Sequence, residues 1–465
     1  MIGRVVIALG VWVASWAGAW LATPAAAQTI PTAPPAGPAR YVLLQAGTLL
    51  AVPGQPAQRE MTVVVKNDRI ERIAPGYLDD VPHGTADTVR VVDLKSRFVL
   101  PGLMDAHVHL HMQSGDGTRG QSPRRGRSAP LLSDRAVNAV VYGRRTLAAG
   151  FTTVRDLGSD EESIFAVRDL FSSGRVIGPR ILVSGSPISA TGGHGDDTSV
   201  DGDLNNKRLM NGVCDGPASC MTAVRMQHKL GANVIKATAT GGFSGEQSFE
   251  SQFTLEELTA IVTAAHQLDM RVAVHAYTPK AIAEVVKSGA NSIEHGFFVD
   301  DATLKEMKKK GVFLVPTLSA AFPPPFLGVR NPPSLKMRDD AKAFERAYAM
   351  GVKIAFGTDA GTFNHGENAK ELDLMVGYGM KPMDAIATAT VGTADLFGLS
   401  EHVGTLESGK VADVIAVTGN PLDNIAALHA IDFVMKSGVV AKENGVMHDG
   451  VTYLPFGSDG PRRGR

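Results

Sequence analysis

The segment from Val99 to Leu110 constrains the fold most. An apolar run interrupted by Pro101-Gly102 ends in His107 and His109, spaced i and i+2. On a β-strand that spacing puts both imidazoles on one face. Two imidazoles at the end of a buried strand suit a metal ion better than they suit an apolar core. An HxH pair alone is a weak signal, so the reading depends on partners later in the chain.

The rest of the chain supplies a scaffold for such partners. From residue 99 short apolar runs alternate with amphipathic stretches, the pattern of a parallel α/β fold. Eight strands are expected: Phe98–His109, Thr152–Asp156, Arg180–Ser184, Asn233–Thr238, Arg271–His275, Ser292–His295, Val312–Pro316 and Lys353–Thr358. Helices are expected at Asp134–Ala149, Cys220–Leu230, Leu255–Leu268, Pro279–Ser288, Asp301–Lys310 and Leu335–Met350, with Thr254 and Glu257 forming a capping box. Two more are expected after the last strand, at Asn368–Tyr378 and Pro382–Phe397. Eight strand–helix units over residues 99–403 imply a (β/α)8 TIM barrel. An open doubly wound sheet is the alternative, but no glycine-rich fingerprint follows the first strand. Residues 41–98 read as short strands and turns, and strand character returns over 404–455. Together they make a small β-sandwich domain formed by both chain ends.

Polar groups at C-terminal strand ends of a barrel converge on one face. Strand one offers His107 and His109, strand four Lys236, strand five His275, strand six His295 and strand eight Asp359. Any one of these could be structural, whereas all six ending five strands by chance is a poor account. An ammonium is a bad neighbour for cations, and burial beside them would favour the neutral amine of Lys236. A neutral amine can add carbon dioxide, and the resulting carbamate can bridge two metals. Four histidines, a carbamate and Asp359 suit two divalent ions about 3.5–4 Å apart. Zinc is the first choice for an imidazole-rich set.

His107-Val-His109, Lys236, His275, His295 and Asp359 resemble, residue by residue, the binuclear pattern of the amidohydrolase superfamily. Thr191-Gly-Gly-His194-Gly, Ala239-Thr-Gly-Gly242, Val274-His-Ala-Tyr-Thr-Pro279 and Ser292-Ile-Glu-His-Gly296 are similar to its exported, prolidase-type dipeptidase and imidazolonepropionase-like group. Ochratoxin-cleaving amidohydrolases fall in the same group. The resemblance implies that His107, His109 and Asp359 hold one metal and that His275 and His295 hold the second. Carboxylated Lys236 would bridge them. It further implies attack by a metal-bridging hydroxide on the amide of a dipeptide or N-acyl amino acid, with Asp359 moving the proton. Cyclic-amide hydrolysis and a catalytically inactive binding barrel are the rival readings.

Tyr277 shares a strand face with His275 and is expected to bind substrate, as is His194 in its Gly-rich loop. His111 extends the motif to HxHxH without an assigned task. Arg119, Arg124, Arg125 and Arg127 in loop 113–130 read as a solvated loop or a basic lip, and Phe243 and Phe249 are potential pocket walls. A formal net charge of -1 gives no electrostatic case for nucleic acid. Arg4, the apolar run Val5–Leu21 and Ala25-Ala26-Ala27 read as a cleaved signal peptide over 1–27, with a membrane anchor as the alternative. Residues 28–40 are a Pro/Ala-rich lead-in and 456–465 a frayed tail. The mature protein is then expected to be periplasmic or secreted, without a stable membrane anchor. In an oxidising compartment Cys214 and Cys220 could form a disulfide or stay as two thiols. Small-molecule substrates are the expected partners, and a homo-oligomer is left open.

Overall fold

The computed structural model describes residues 37–114, 131–196, 212–242, 250–321 and 342–448. The expected signal peptide, the tail, most of the lead-in, most of the Arg-rich loop, the first part of the expected helix Leu335–Met350 and both Phe243 and Phe249 lie outside them. Among the described residues no helix is long and apolar enough to cross a membrane.

The chain begins with β1 (Arg40–Leu49), β2 (Gln58–Lys66), β3 (Arg69–Pro75) and β4 (Thr88–Pro101). β1 runs unbroken past Tyr41 and Thr48, with a bulge between Ala46 and Thr48. Gly47 sits at that bulge because an added Cβ would lie 1.9 Å from the Lys95 carbonyl oxygen. β4 continues through Pro101, so the expected first barrel strand divides at Gly102 into a β-domain part and a barrel part. Gly102 itself is tightly packed, since a Cβ there would meet Thr152 Oγ1 at 2.3 Å.

The barrel strands are β5 (Leu103–Val108), β6 (Phe151–Asp156), β7 (Arg180–Val183), β8 (Val234–Thr238), β9 (Arg271–Ala276), β10 (Ser292–His295) and β11 (Phe313–Val315). They pair in parallel as β5-β6-β7 and β8-β9-β10-β11. The Ile188–Ala237 bridge joins the two groups. The eighth position is held by single bridges, Leu314 to Ile354 and Val108 to Ala360, rather than by the full strand expected at Lys353–Thr358. The cause is local: the Phe356 N–H leaves the ladder for Thr388 O at 3.2 Å and Thr393 Oγ1 at 3.1 Å. Thr388–Gly392 is a π-helical turn inside the expected helix Pro382–Phe397, and it presents that carbonyl. Ala106 N–H to Phe356 O (2.8 Å) and Asp359 N–H to His107 O (2.7 Å) complete the barrel.

The helices between strands follow the sequence pattern. Thr254 and Glu257 form the reciprocal capping box ahead of helix Leu255–His266. The unexpected helix Glu161–Ser172 starts at Asp160, whose carboxylate accepts from Ser163 N at 2.9 Å.

The chain closes with β12 (Val414–Val417), β13 (Ile431–Lys436), β14 (Val439–Glu443) and β15 (Val446–Met447). They join the first four strands in one sheet ordered β15-β14-β13-β12-β4-β1-β2-β3, which forms the β-sandwich domain. Its core mixes Leu44, Val63, Val92 and Val99 with Val414, Ala416, Phe433 and Met435, so neither chain end has a complete core without the other. Cys214 and Cys220 are disulfide-bonded, closing the loop ahead of helix Pro217–Leu230.

Candidate metal centre

β5 alternates Asp105, His107 and His109 onto its barrel-facing side. On β10 the same alternation would send His295 with Ile293, away from Glu294. His295 instead adopts φ +71°, a left-handed backbone that turns its ring toward His107, with centroids 5.1 Å apart. Asp359 (φ +61°) and Thr317 (φ +48°) have the same rare conformation at neighbouring strand ends. Of the eight described non-glycine residues with positive φ, these three gather at one end of the barrel and mark a place where strain is held by surrounding contacts.

The expected ligands meet there. His107 Nε2 and His109 Nε2 lie 3.6 and 3.0 Å from Asp359 Oδ1. Single donor atoms of His107, His295 and Asp359 fall within 4.8 Å of one another. His275 packs edge-on against His295 with centroids 4.7 Å apart. Lys236 is buried on β8, and its charge acts on all four histidines and on Asp359.

The other nitrogen of each imidazole is occupied by the protein. His107 Nδ1 faces Glu294 Oε2 at 2.9 Å, and His109 Nδ1 faces the Gly158 carbonyl at 3.2 Å. His275 Nε2 faces the Gly241 carbonyl at 3.1 Å, and His295 Nδ1 faces Thr317 Oγ1 at 2.6 Å. A ring N–H directed at such an acceptor fixes the tautomer and leaves a lone pair on the opposite nitrogen, the state a metal ligand needs. The residues therefore fit divalent cations.

The electrostatics agree. Burial, reinforced by neighbouring cationic groups, holds His107, His275 and His295 well below the ordinary imidazole range. Burial also pushes Lys236 down to about 8, so a useful fraction is free amine near neutral pH. Burial opposes the Asp359 carboxylate, yet His107, His109 and Lys236 hold it below its usual value. Burial would lower His109 as well, but Asp359 outweighs it and raises the ring. A cation placed between them would take over the role of that shared proton.

Glu294 was not anticipated. It is fully buried, receives Ser292 Oγ–H at 2.5 Å, and pairs with Arg155 Nη2 at 2.8 Å. Arg155 Nε donates in turn to Ala106 O at 2.7 Å. The available signals were an acidic residue directly before a strand-end histidine and an arginine inside the apolar strand β6.

Tyr277 is buried at the same site, edge-on to His275 at 4.7 Å and stacked on His295 at 5.2 Å. Burial, with the Asp359 charge, keeps its hydroxyl protonated well above the ordinary phenol range. His194 stacks on His275 with centroids 4.5 Å apart, and Gly242 allows this because a Cβ there would lie 2.3 Å from the His194 ring. His111 lies edge-on to His109 at 6.3 Å, its Nδ1 2.8 Å from Ser159 Oγ, which donates to Asp156 Oδ1 at 2.7 Å.

A closed parallel barrel with imidazoles and a carboxylate gathered at the C-terminal ends of its strands is the arrangement a metal-assisted hydrolase uses. The Amidohydrolase family model matches residues 98–442, and the chain belongs to that family. Ochratoxinase of Aspergillus niger is 31 % identical over 443 residues, which cover 88 % of this chain and 88 % of that one. A solved Xaa-Pro dipeptidase with methionine bound in its active site is 36 % identical with a TM-score of 0.76, covering 86 % of this chain and 100 % of that one. Imidazolonepropionase of Treponema denticola is 23 % identical over 416 residues, covering 82 % of this chain and 92 % of the relative. Membership in that family supports hydrolytic chemistry on C–N bonds.

Proposed function

We propose that the protein is a binuclear metal amidohydrolase that cleaves the amide bond of dipeptides or N-acyl amino acids. The observation that carries this reading is the set of four imidazoles, each tied at one nitrogen and available at the other, around Asp359 and Lys236. Similarity to a dipeptidase and an ochratoxinase supports the substrate class. His107, His109 and Asp359 would hold one ion and His275 and His295 the other, with Lys236, as its carbamate, shared between them. Zinc suits the imidazole-rich set. Two such ions supply Lewis acidity that brings the pKa of a water toward neutrality and polarises the scissile carbonyl.

The chain's own groups do the rest. Asp359, kept ionised by its neighbours, accepts a proton from the attacking water and returns it to the leaving amine. Tyr277, held protonated, donates to the carboxylate of the departing amino acid, and His194 shares that task from its loop. The signal-like N-terminus and the Cys214–Cys220 disulfide support export to a periplasmic or extracellular space.

The test is a library of dipeptides and N-acyl amino acids offered to metal-loaded full-length protein. Hydrolysis of members of either class, abolished by chelation, is expected. A protein carrying two ions that cleaves none of them would refute the substrate assignment.

A further inference from the structure

Two fully buried polar side chains outside the ligand set lie where the chain turns into helix Lys370–Gly377. Asn368 is in the turn and Glu371 is three residues on, its N–H bonded to Asn368 O at 3.1 Å. The turn bond between their backbones holds them close, yet their side chains reach in different directions.

Asn368 Nδ2 donates to Asp105 Oδ2 at 2.8 Å, while its Oδ1 accepts from Gly366 N at 3.0 Å. Asp105 also accepts from His107 N (3.0 Å), Thr358 N (3.2 Å) and Thr358 Oγ1 (2.6 Å). It therefore joins the strand of His107 and His109 to the residue preceding Asp359.

Glu371 uses both oxygens elsewhere: Oε1 accepts from Leu318 N at 2.7 Å and Oε2 from Ser319 N at 2.6 Å. These amides follow Thr317 directly. Thr317 is a β-branched residue at φ +48°, a conformation that persists only where neighbours impose it. Its hydroxyl is the group that holds His295 Nδ1.

We propose that Asn368 and Glu371 are positioning residues, two arms of one clamp that sets the spacing between the halves of the metal site. One arm acts through Asp105 on His107 and Asp359. The other acts through the 317–319 turn on His295. A single helix entry then registers strands one, seven and eight against one another, so neither half can shift without the other.

This inference rests on the reading of the site as binuclear, and its test reads metal affinity instead of turnover. The full chain is titrated with Co(II) against a chromophoric chelator. Glu371→Gln, which keeps the shape of the side chain, should weaken one of the two Co(II) equivalents about 10–100-fold and leave the other within about threefold. Asn368→Leu should weaken the other equivalent. Thr317→Val should reproduce the Glu371→Gln loss, and the double variant should bind no worse than Thr317→Val within about threefold, because the two act in series. Should Glu371→Gln fail to fold, Thr317→Val and Asn368→Leu must still affect different equivalents. Variants that lose thermal stability but keep both affinities would overturn the clamp, as would additive losses in the double variant. Failure of the parent chain to bind two Co(II) ions would overturn it together with the binuclear reading. Two Co(II) ions bound without amide hydrolysis would refute the proposed activity and leave the clamp to be decided by the affinities.

Discussion

Replacing Arg155 by methionine isolates the support beneath His107. Arg155 and Glu294 are both fully buried, with Arg155 Nη2 2.8 Å from Glu294 Oε1. Arg155 also donates to Ala106 O and lies over the Phe397 ring at 5.6 Å. Removing one member of a buried pair leaves the other charge without compensation and costs about 3–5 kcal/mol. Methionine retains much of the packing volume, so most of the loss in Arg155→Met should come from the stranded Glu294. Neutralising that partner in Arg155→Met/Glu294→Gln should bring stability back to within about 1–2 kcal/mol of the parent. Metal affinity should not recover, because His107 Nδ1 has lost its carboxylate. Urea unfolding of the chelator-treated full chain gives the first quantity, and metal titration the second. A double variant as unstable as Arg155→Met would refute the electrostatic argument and assign the loss to packing.

Lys236→Ala should abolish turnover, and short carboxylates supplied with metal should restore part of it; full activity without additives would remove the carbamate. Because burial lowers Lys236 from its ordinary value to about 8, its free amine grows as pH rises toward that point and then levels off. Metal loading of stripped protein held at a fixed partial pressure of carbon dioxide should therefore accelerate about tenfold per pH unit below about 8 and flatten above it; a flat profile from pH 6 to 8 would contradict this. Tyr277→Phe should raise KM more for substrates with a free carboxylate than for the corresponding amides, and equal effects in steady-state kinetics would remove its carboxylate role.

The candidate ligands stand out in the sequence because each falls in or just after an apolar barrel strand, where a polar side chain has few structural reasons to be. Lys236 and His275 are of this kind. The supporting groups were harder to see. Glu294 and Arg155 are charges inside barrel strands, and only the folded barrel brings residues 139 positions apart to 2.8 Å. Glu371 sits in an amphipathic helix, where an acidic side chain ordinarily reads as solvated, yet it is fully buried. The apolar pattern of Lys353–Thr358 predicts a regular strand. The pattern could not reveal that the π-helical turn at Thr388 would draw the Phe356 N–H out of the ladder. His111 gained a neighbour in Ser159, a contact that periodicity alone does not predict.

Two divalent ions at this cluster are proposed to drive amide hydrolysis. The most direct measurement is to strip the full-length protein with a chelator and restore zinc in steps, following both bound metal and hydrolysis of a responsive dipeptide or N-acyl amino acid. Activity should disappear on stripping and return in full only as bound zinc approaches two ions per chain. Full activity at one ion per chain, or hydrolysis that survives complete stripping, would contradict it.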